Sequence, residues 1–410
     1  MIPLVSTEAV TTIVLMGVGS RYESNEQQGL AHFTEHMVFK GGRSYASAQA
    51  VSQALDAVGG EFNAFTSEEF TGFYTKTDKR HIELGLDVLS DIVLHAKFPE
   101  DELEKEKGVI VEEINMYEDM PMRNVHHLLA SLVFGDTPLG RPILGTKESI
   151  ADFTREDFVN YRKQFYRGSQ CTVVIAGAVD PANGETLVSK YFAELASGEP
   201  YRPVPATFQG PVRVALDVRK SEQTHLALAI QALQLNDPRK YALRTLATIL
   251  GGNMSSRLFV SVREEQGLCY YVRAHTDSMV DTGTIVISAG VDNNRLPLAV
   301  SAIVKELQKL KDELVSDEEL NRAKQYQLGK ILLSLEDSED VAEFYGLQHV
   351  LEGKIDSIDE LERGIESVTA QEVLELAQKL FVNNGLRLAV SGPYEDVEAL
   401  NHLMTITRNA

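Results

Sequence analysis

Two stretches of this chain pass through the same series of elements, and any fold it adopts must accommodate that repetition. Each holds a helical stretch closed by paired glycines, Gly41-Gly42 in one and Gly251-Gly252 in the other, 210 positions apart (251 minus 41). Strand-like runs follow each pair, and then a helical stripe, Ile82, Leu86, Leu89 and Val93 in the first stretch and Leu298, Ile303, Leu307 and Leu310 in the second. A further helix opens at Asp101 to Lys107 and again at Glu318 to Lys324, with Leu103 and Leu320 standing 217 apart (320 minus 103). Between the stretches, residues 197–211 concentrate Pro and Gly without periodicity and read as a linker. Runs such as 62–66 and 70–77 read as hairpin strands. The expectation is an α+β chain of two homologous domains, each a mostly antiparallel β-sheet covered by α-helices, with bounds 1–196, 197–211 and 212–410. Two unrelated α+β domains are the alternative. A length of 410 residues also exceeds one ordinary core.

Composition narrows the function classes. A formal charge of -21 argues against nucleic acid or an anionic membrane surface as the main partner. No stretch reaches the roughly 20 apolar residues of a membrane-spanning helix. Cys171 and Cys269 sit in apolar runs outside any CxxC motif, which predicts buried, reduced thiols rather than a disulfide framework. With no charged-then-apolar signal at Met1, the expected location is cytoplasmic.

The chemistry-bearing candidates begin on the stretch from Gln28 to Phe39. Leu30, Phe33 and Met37 form a helical stripe, and the glycines at 41 and 42 stop it. His32 and His36 are four apart, so their imidazoles leave one face of the helix a turn apart. That spacing lets two ring nitrogens reach one Zn²⁺, with Glu35 beside them to hold a water. The order H-x-x-E-H is the inverse of H-E-x-x-H and has the same mechanics. Two histidines and a glutamate at set spacing also arise by chance, so a third ligand must decide.

The stretch from about Glu100 to Met120 offers one. Its seam Leu103, Glu106, Ile110, Glu113, Tyr117 steps by three and four, and two of the five positions are carboxylates. Ionised groups on a packed seam are costly unless paired or bound to a metal. Glu113 is the candidate third ligand and Glu106 the acceptor that orients a ligand histidine. Glu112, on the neighbouring stripe with Val109 and Met116, competes with Glu113 for the ligand role. A solvated acidic face is the plain alternative for all three glutamates.

Along nearly its whole length the chain resembles the pitrilysin, insulysin and mitochondrial-processing-peptidase family of zinc peptidases, its short bacterial members in particular. The resemblance is carried by residues 19–23, 29–41, 63–69, 106–119 and 138–145, and in the second half by 256–259 and 263–270. It implies that His32, His36 and Glu113 are the zinc ligands, one Zn²⁺ per chain, with Glu35 as general base and Glu106 as the outer glutamate. The family's E-x6-E spacing selects Glu113 over Glu112. Asn63, Ala64, Phe65 and Thr66 correspond to the edge segment that pairs with substrate backbone. Arg263 and Tyr270 correspond to a pair that the second half supplies for substrate binding and transition-state stabilisation. On their own, Arg263 reads as surface and Tyr270 as core.

The second half keeps no metal motif: His32, Glu35 and His36 fall opposite Ala242, Thr245 and Leu246, and Glu106 and Glu113 opposite Ala323 and Lys330. In one respect the chain departs from the family, because Met1 to Val5 is shorter than the usual first strand. The resemblance implies a zinc-dependent endopeptidase that hydrolyses peptides or short unfolded polypeptides in a closed chamber. It also implies pairing of two subunits, with a homodimer expected and a heterodimer with an inactive partner as the alternative; the charge predicts no nucleic-acid or membrane partner. The rival readings are a non-catalytic scaffold or partner subunit of a heterodimeric processing peptidase, and a structural zinc domain.

Overall fold

The computed structural model describes residues 1–5, 7–210 and 212–407. The strands are β1 (Ile2–Pro3), β2 (Ala9–Met16), β3 (Glu61–Thr66), β4 (Thr71–Asp78) and β5 (Cys171–Gly177), then β6 (Val214–Val218), β7 (Thr224–Gln231), β8 (Cys269–Ser278), β9 (Gly283–Val291) and β10 (Leu386–Gly392). They form two five-stranded sheets with one topology, β1-β5-β2-β4-β3 and β6-β10-β7-β9-β8. In each, the first pair is parallel and every other pair is antiparallel. The repeated order read from the sequence is therefore a repeated sheet.

The helices of the first half are α1 (Leu30–Met37), α2 (Ala48–Asp56), α3 (Ile82–His95), α4 (Glu100–Asp119), α5 (Pro121–Phe134), α6 (Lys147–Asp152), α7 (Arg155–Phe165) and α8 (Pro181–Tyr191). Those of the second are α9 (Lys240–Ala247), α10 (Leu296–Asp312), α11 (Asp317–Ser334), α12 (Ser338–Leu347), α13 (Ile358–Ser367), α14 (Ala370–Leu380) and α15 (Val397–Leu403). None is long and apolar enough to cross a membrane.

The compact units do not follow the expected bounds. One comprises Met1–Asn115, Pro142–Val204 and Leu332–Ile355; the other comprises Met116–Arg141, Pro205–Ile331 and Asp356–Ala410. Residues 197–210 do lack helix and strand, while Ser6, Pro211 and 408–410 lie outside the described residues. What the linear division misses is that each unit takes a helix from the other half of the chain.

The reason is burial on both sheet faces. Ile13 and Leu15 of β2, with Val174 and Ala176 of β5, pack against Val341 and Ala342 of α12. Lys76 on β4 donates to Asp337 just before that helix (2.9 and 2.7 Å), and Thr11 meets Ser338 at 2.8 Å. In the second unit, Leu226, Leu228 and Ile230 of β7 join the main core, while Ala227 and Ala229 turn the other way. There they meet Val125, Leu129 and Val133 of α5. Asn124 on that helix donates to Asp217 on β6 (2.9 Å), which also accepts from Ser391 on β10 (2.7 Å).

Both cysteines are free, and by residue they are half-buried rather than buried. Loss of solvent still pushes the Cys171 thiol up to about 12 and the Cys269 thiol, opposed by Arg263, up to about 11.

Helix α12 approaches its sheet at Gly346, where an added Cβ would lie 2.6 Å from Leu15 Cδ1 and 3.0 Å from Val174 Cγ2. Gly329 of α11 has open space instead. Gly346→Val is expected to destabilise the protein by about 1–3 kcal/mol, and Gly329→Ala to stabilise it by up to about 1 kcal/mol. Denaturant unfolding measures both, and an unchanged midpoint for Gly346→Val would contradict tight docking of α12.

Candidate metal centre

Helix α1 is anchored at its start by an acid and on its inner face by aromatics. Glu23, buried, accepts from the backbone N–H of Gly29 (2.9 Å) and of Ala31 (2.6 Å). These are donors that the first turn of a helix leaves without partners. Gly29 adopts φ +95, and a Cβ there would sit 2.7 Å from the Leu144 carbonyl oxygen, so only glycine fits. Leu30, Phe33 and Met37 are buried, with the Phe33 ring edge-on to Phe158 at 5.0 Å. Fixing that face points His32 and His36 out of the other, with ring centroids 4.7 Å apart.

Helix α4 supplies the carboxylates. Leu103, Ile110 and Ile114 are buried, and Glu106 is buried among them. Glu113 Oε2 lies 3.7 Å from His32 Nε2 and 3.7 Å from His36 Nε2. The three donor atoms all fall within 4.8 Å of one another. Zinc bonds of 2.0–2.2 Å in tetrahedral geometry separate ligand atoms by about 3.4 Å, so two imidazoles and a carboxylate at this spacing fit a zinc ion. Glu112, one residue earlier, is exposed.

The surrounding groups set tautomer and charge. Glu106 Oε1 lies 3.0 Å from His36 Nδ1, and an Nδ1–H donated to it would leave Nε2, on the Glu113 side, free to bind a metal. Glu106 Oε2 lies 2.5 Å from Lys40 Nζ. Burial opposes ionisation of Glu106, but the hydrogen bonds from His36 and Lys40 and the Lys40 charge outweigh it, leaving its pKa below the ordinary value. Burial, reinforced by His36, depresses the His32 imidazole to about 3, so this ring is neutral, as a metal ligand must be.

Glu35 behaves oppositely. Its burial raises the carboxyl above the ordinary value; the Thr66 hydroxyl and His36 oppose that rise, and Glu113 adds to it. Thr66 Oγ1 donates to Glu35 Oε2 at 2.6 Å. A cavity of about 300 Å³ opens beside these groups, lined by Phe39, Lys40, Phe62 and Ala64 among others.

His32, Glu35, His36, Glu106 and Glu113 thus come together, and Thr66 joins them from β3. Asn63, Ala64 and Phe65 lie on the same strand, which is the edge of its sheet. The Ala64 N–H donates to the Asn63 side chain at 2.9 Å. Arg263 and Tyr270 belong to the second unit. Arg263 sits on the helical turn Phe259–Glu265, 4.5 Å over the Phe259 ring and 3.1 Å from Glu264. Tyr270 is no core residue: it occupies a bulge at the start of β8 and is 76% exposed. Within that unit, Ala242, Thr245, Leu246 and Ala323 are buried, and Gln327 donates to Thr245 at 3.1 Å.

Sequence reasoning assigned no role to Lys40 or Glu23. Lys40 was accessible in principle, since it lies four residues beyond His36. Glu23 was not, because it acts through a loop that no periodicity marks.

Comparison with known proteins gives a consistent result. A family model described as insulinase (peptidase family M16) matches residues 4–147, and one described as peptidase M16 inactive domain matches residues 152–327. A Bacillus subtilis protein named an uncharacterized zinc protease is 36% identical over 379 residues, 92% of each chain. Two solved structures share the fold. A protease from Helicobacter pylori has a TM-score of 0.88 at 22% identity, covering 95% of both chains. A chain of Complex III2 from Candida albicans has a TM-score of 0.84 at 19% identity, covering 98% of this chain and 96% of the other.

Proposed function

The chain belongs to the insulinase family of M16 peptidases, and on that premise we propose that it is a zinc-dependent endopeptidase acting on peptides and short unfolded polypeptides. One observation carries the reading: two imidazole nitrogens each lie 3.7 Å from one carboxylate oxygen, beside a carboxyl raised above its ordinary pKa. A scaffold subunit has no use for such a set, and a structural zinc site closes its fourth position with protein.

His32, His36 and Glu113 would hold the ion. Bound there, zinc supplies Lewis-acid chemistry that activates water and polarises a carbonyl. Glu35 does the proton work. With Oε2 occupied by the Thr66 hydroxyl, Oε1 is the oxygen that accepts a proton from water and returns it to the departing amine. Its raised affinity for a proton suits both halves of that transfer. Glu106 keeps His36 in one tautomer throughout.

Substrate adds as an extended strand along the β3 edge, where Asn63 to Thr66 offer backbone pairing indifferent to sequence. The Ala64 N–H, now held by the Asn63 side chain, is the donor such a strand takes over. Arg263 and Tyr270 enter the proposal on the family resemblance and on their chemistry, a guanidinium and an exposed phenol able to donate to an oxyanion. Pairing of two copies is also part of it, and active material is expected to sediment at twice the 45.4 kDa chain mass. Activity confined to a monomer would remove that part.

Glu35→Gln should retain zinc while kcat for an unstructured peptide falls by about 10²–10⁴. Unimpaired hydrolysis by the pure, metal-loaded variant would overturn the peptidase mechanism. Glu113→Gln should weaken zinc retention by more than about 100-fold, beyond what outer partners achieve, and Glu112→Gln should leave it unchanged. Equal metal content in the two would make the ligand choice wrong.

A further inference from the structure

Lys40 belongs to none of the roles derived above, yet it is tied to them by a short chain of contacts. Helix α1 ends at Met37 and continues as a turn over Val38–Lys40, so Lys40 stands four residues past His36 on the same side. Both residues meet the same carboxylate on α4. His36 Nδ1 lies 3.0 Å from Oε1 of Glu106, and Lys40 Nζ lies 2.5 Å from Oε2.

We propose that Lys40 is a positioning residue for the metal centre: it holds Glu106 so that Glu106 can hold His36. The proposal rests on the reading of His36 as a ligand. A carboxylate gripped at one oxygen still turns about its terminal torsion, whereas one gripped at both is fixed in plane and direction. Glu106 is buried, so without Lys40 its second oxygen loses that partner, and the carboxylate is free to rotate away from His36. Geometry alone thus couples a lysine with no contact to the donor atoms to the aim of a ligand ring.

A rival role exists, because Lys40 also lines the cavity of about 300 Å³ together with Phe39, Phe62 and Ala64. A lysine there that served substrate would act on KM and leave metal affinity alone.

The test measures zinc affinity by competition with a chromophoric chelator on the full-length wild type, Lys40→Met, Lys40→Arg, Glu106→Gln and the Lys40→Met/Glu106→Gln double variant. Lys40→Met is expected to weaken zinc binding about tenfold, within the range of outer-sphere partners, and Lys40→Arg to recover most of it. In the Glu106→Gln background the Lys40 change should add less than about twofold, since its route to the metal is gone. Peptide hydrolysis at saturating zinc should show lowered kcat with KM unchanged. The proposal is overturned by unaltered zinc affinity in Lys40→Met, by full additivity with Glu106→Gln, or by a change confined to KM. Zinc binding that is normal in the wild type and indifferent to Lys40 sinks this inference alone. A wild type that binds no zinc sinks the peptidase reading with it.

Discussion

A five-stranded sheet whose central strands are buried on both faces needs two layers of cover, and neither half of this chain supplies both from its own sequence. Helix α12, from the second half, closes the first sheet over Ile13, Leu15, Val174 and Ala176. Helix α5, from the first half, closes the second over Ala227, Ala229 and Ala389. The exchange is reciprocal and holds the same offset as the repeat: Pro121 and Ser338 begin these helices 217 positions apart (338 minus 121). Each apolar face is worth little until its cover arrives, because burial stabilises only surface removed from water. A cut between residues 196 and 212 would therefore leave each half with one bare face.

The same architecture carries a candidate metal centre in one unit and no such set at the corresponding positions of the other. Where α1 presents His32, Glu35 and His36 to α4, helix α9 presents Ala242, Thr245 and Leu246, all buried. Of these three, the polar one, Thr245, accepts a hydrogen bond from Gln327. Replacing the three ionisable side chains of α1 by small or apolar ones removes the cost of burying charge without metal or partner. The second unit can thus be read as the ground state of the fold, and the first as that fold with polar groups forced into its seam.

Much of this was legible in the chain because periodicity reports faces. The stripe of Leu30, Phe33 and Met37 gave the orientation of α1, and with it the direction of both histidines. The seam of α4 identified Glu106 and Glu113 as carboxylates out of place on a packed face; Glu106 is buried and Glu113 half-buried. The strand-like runs 62–66 and 70–77 gave the hairpin. The exchange of α5 and α12 was hidden, since periodicity states that a helix has an apolar face without saying which sheet receives it. Tyr270 was misjudged as core for a related reason: a bulge at Cys269–Tyr271 breaks the alternation that would otherwise turn it inward. The pairing of Thr66 with Glu35 spans 31 residues and leaves no local mark at all.

Two glutamates near one candidate metal site are pushed in opposite directions by what touches them, and this divides their roles. Glu35 is raised, chiefly by burial, with the single hydroxyl of Thr66 as its hydrogen-bonding partner. Glu106 is lowered, because His36 and Lys40 occupy both of its oxygens and overcome its burial. A group that must take up and release a proton needs an affinity near that of its task, whereas a group that orients a ring must never take the proton it accepts from. Exchanging the partners would exchange the functions: a lysine against Glu35 would suppress its basicity, and a lone hydroxyl against Glu106 would let it compete for the His36 proton. The distribution of donors around two chemically identical side chains, more than the identity of either, sets their proton affinities in opposite directions.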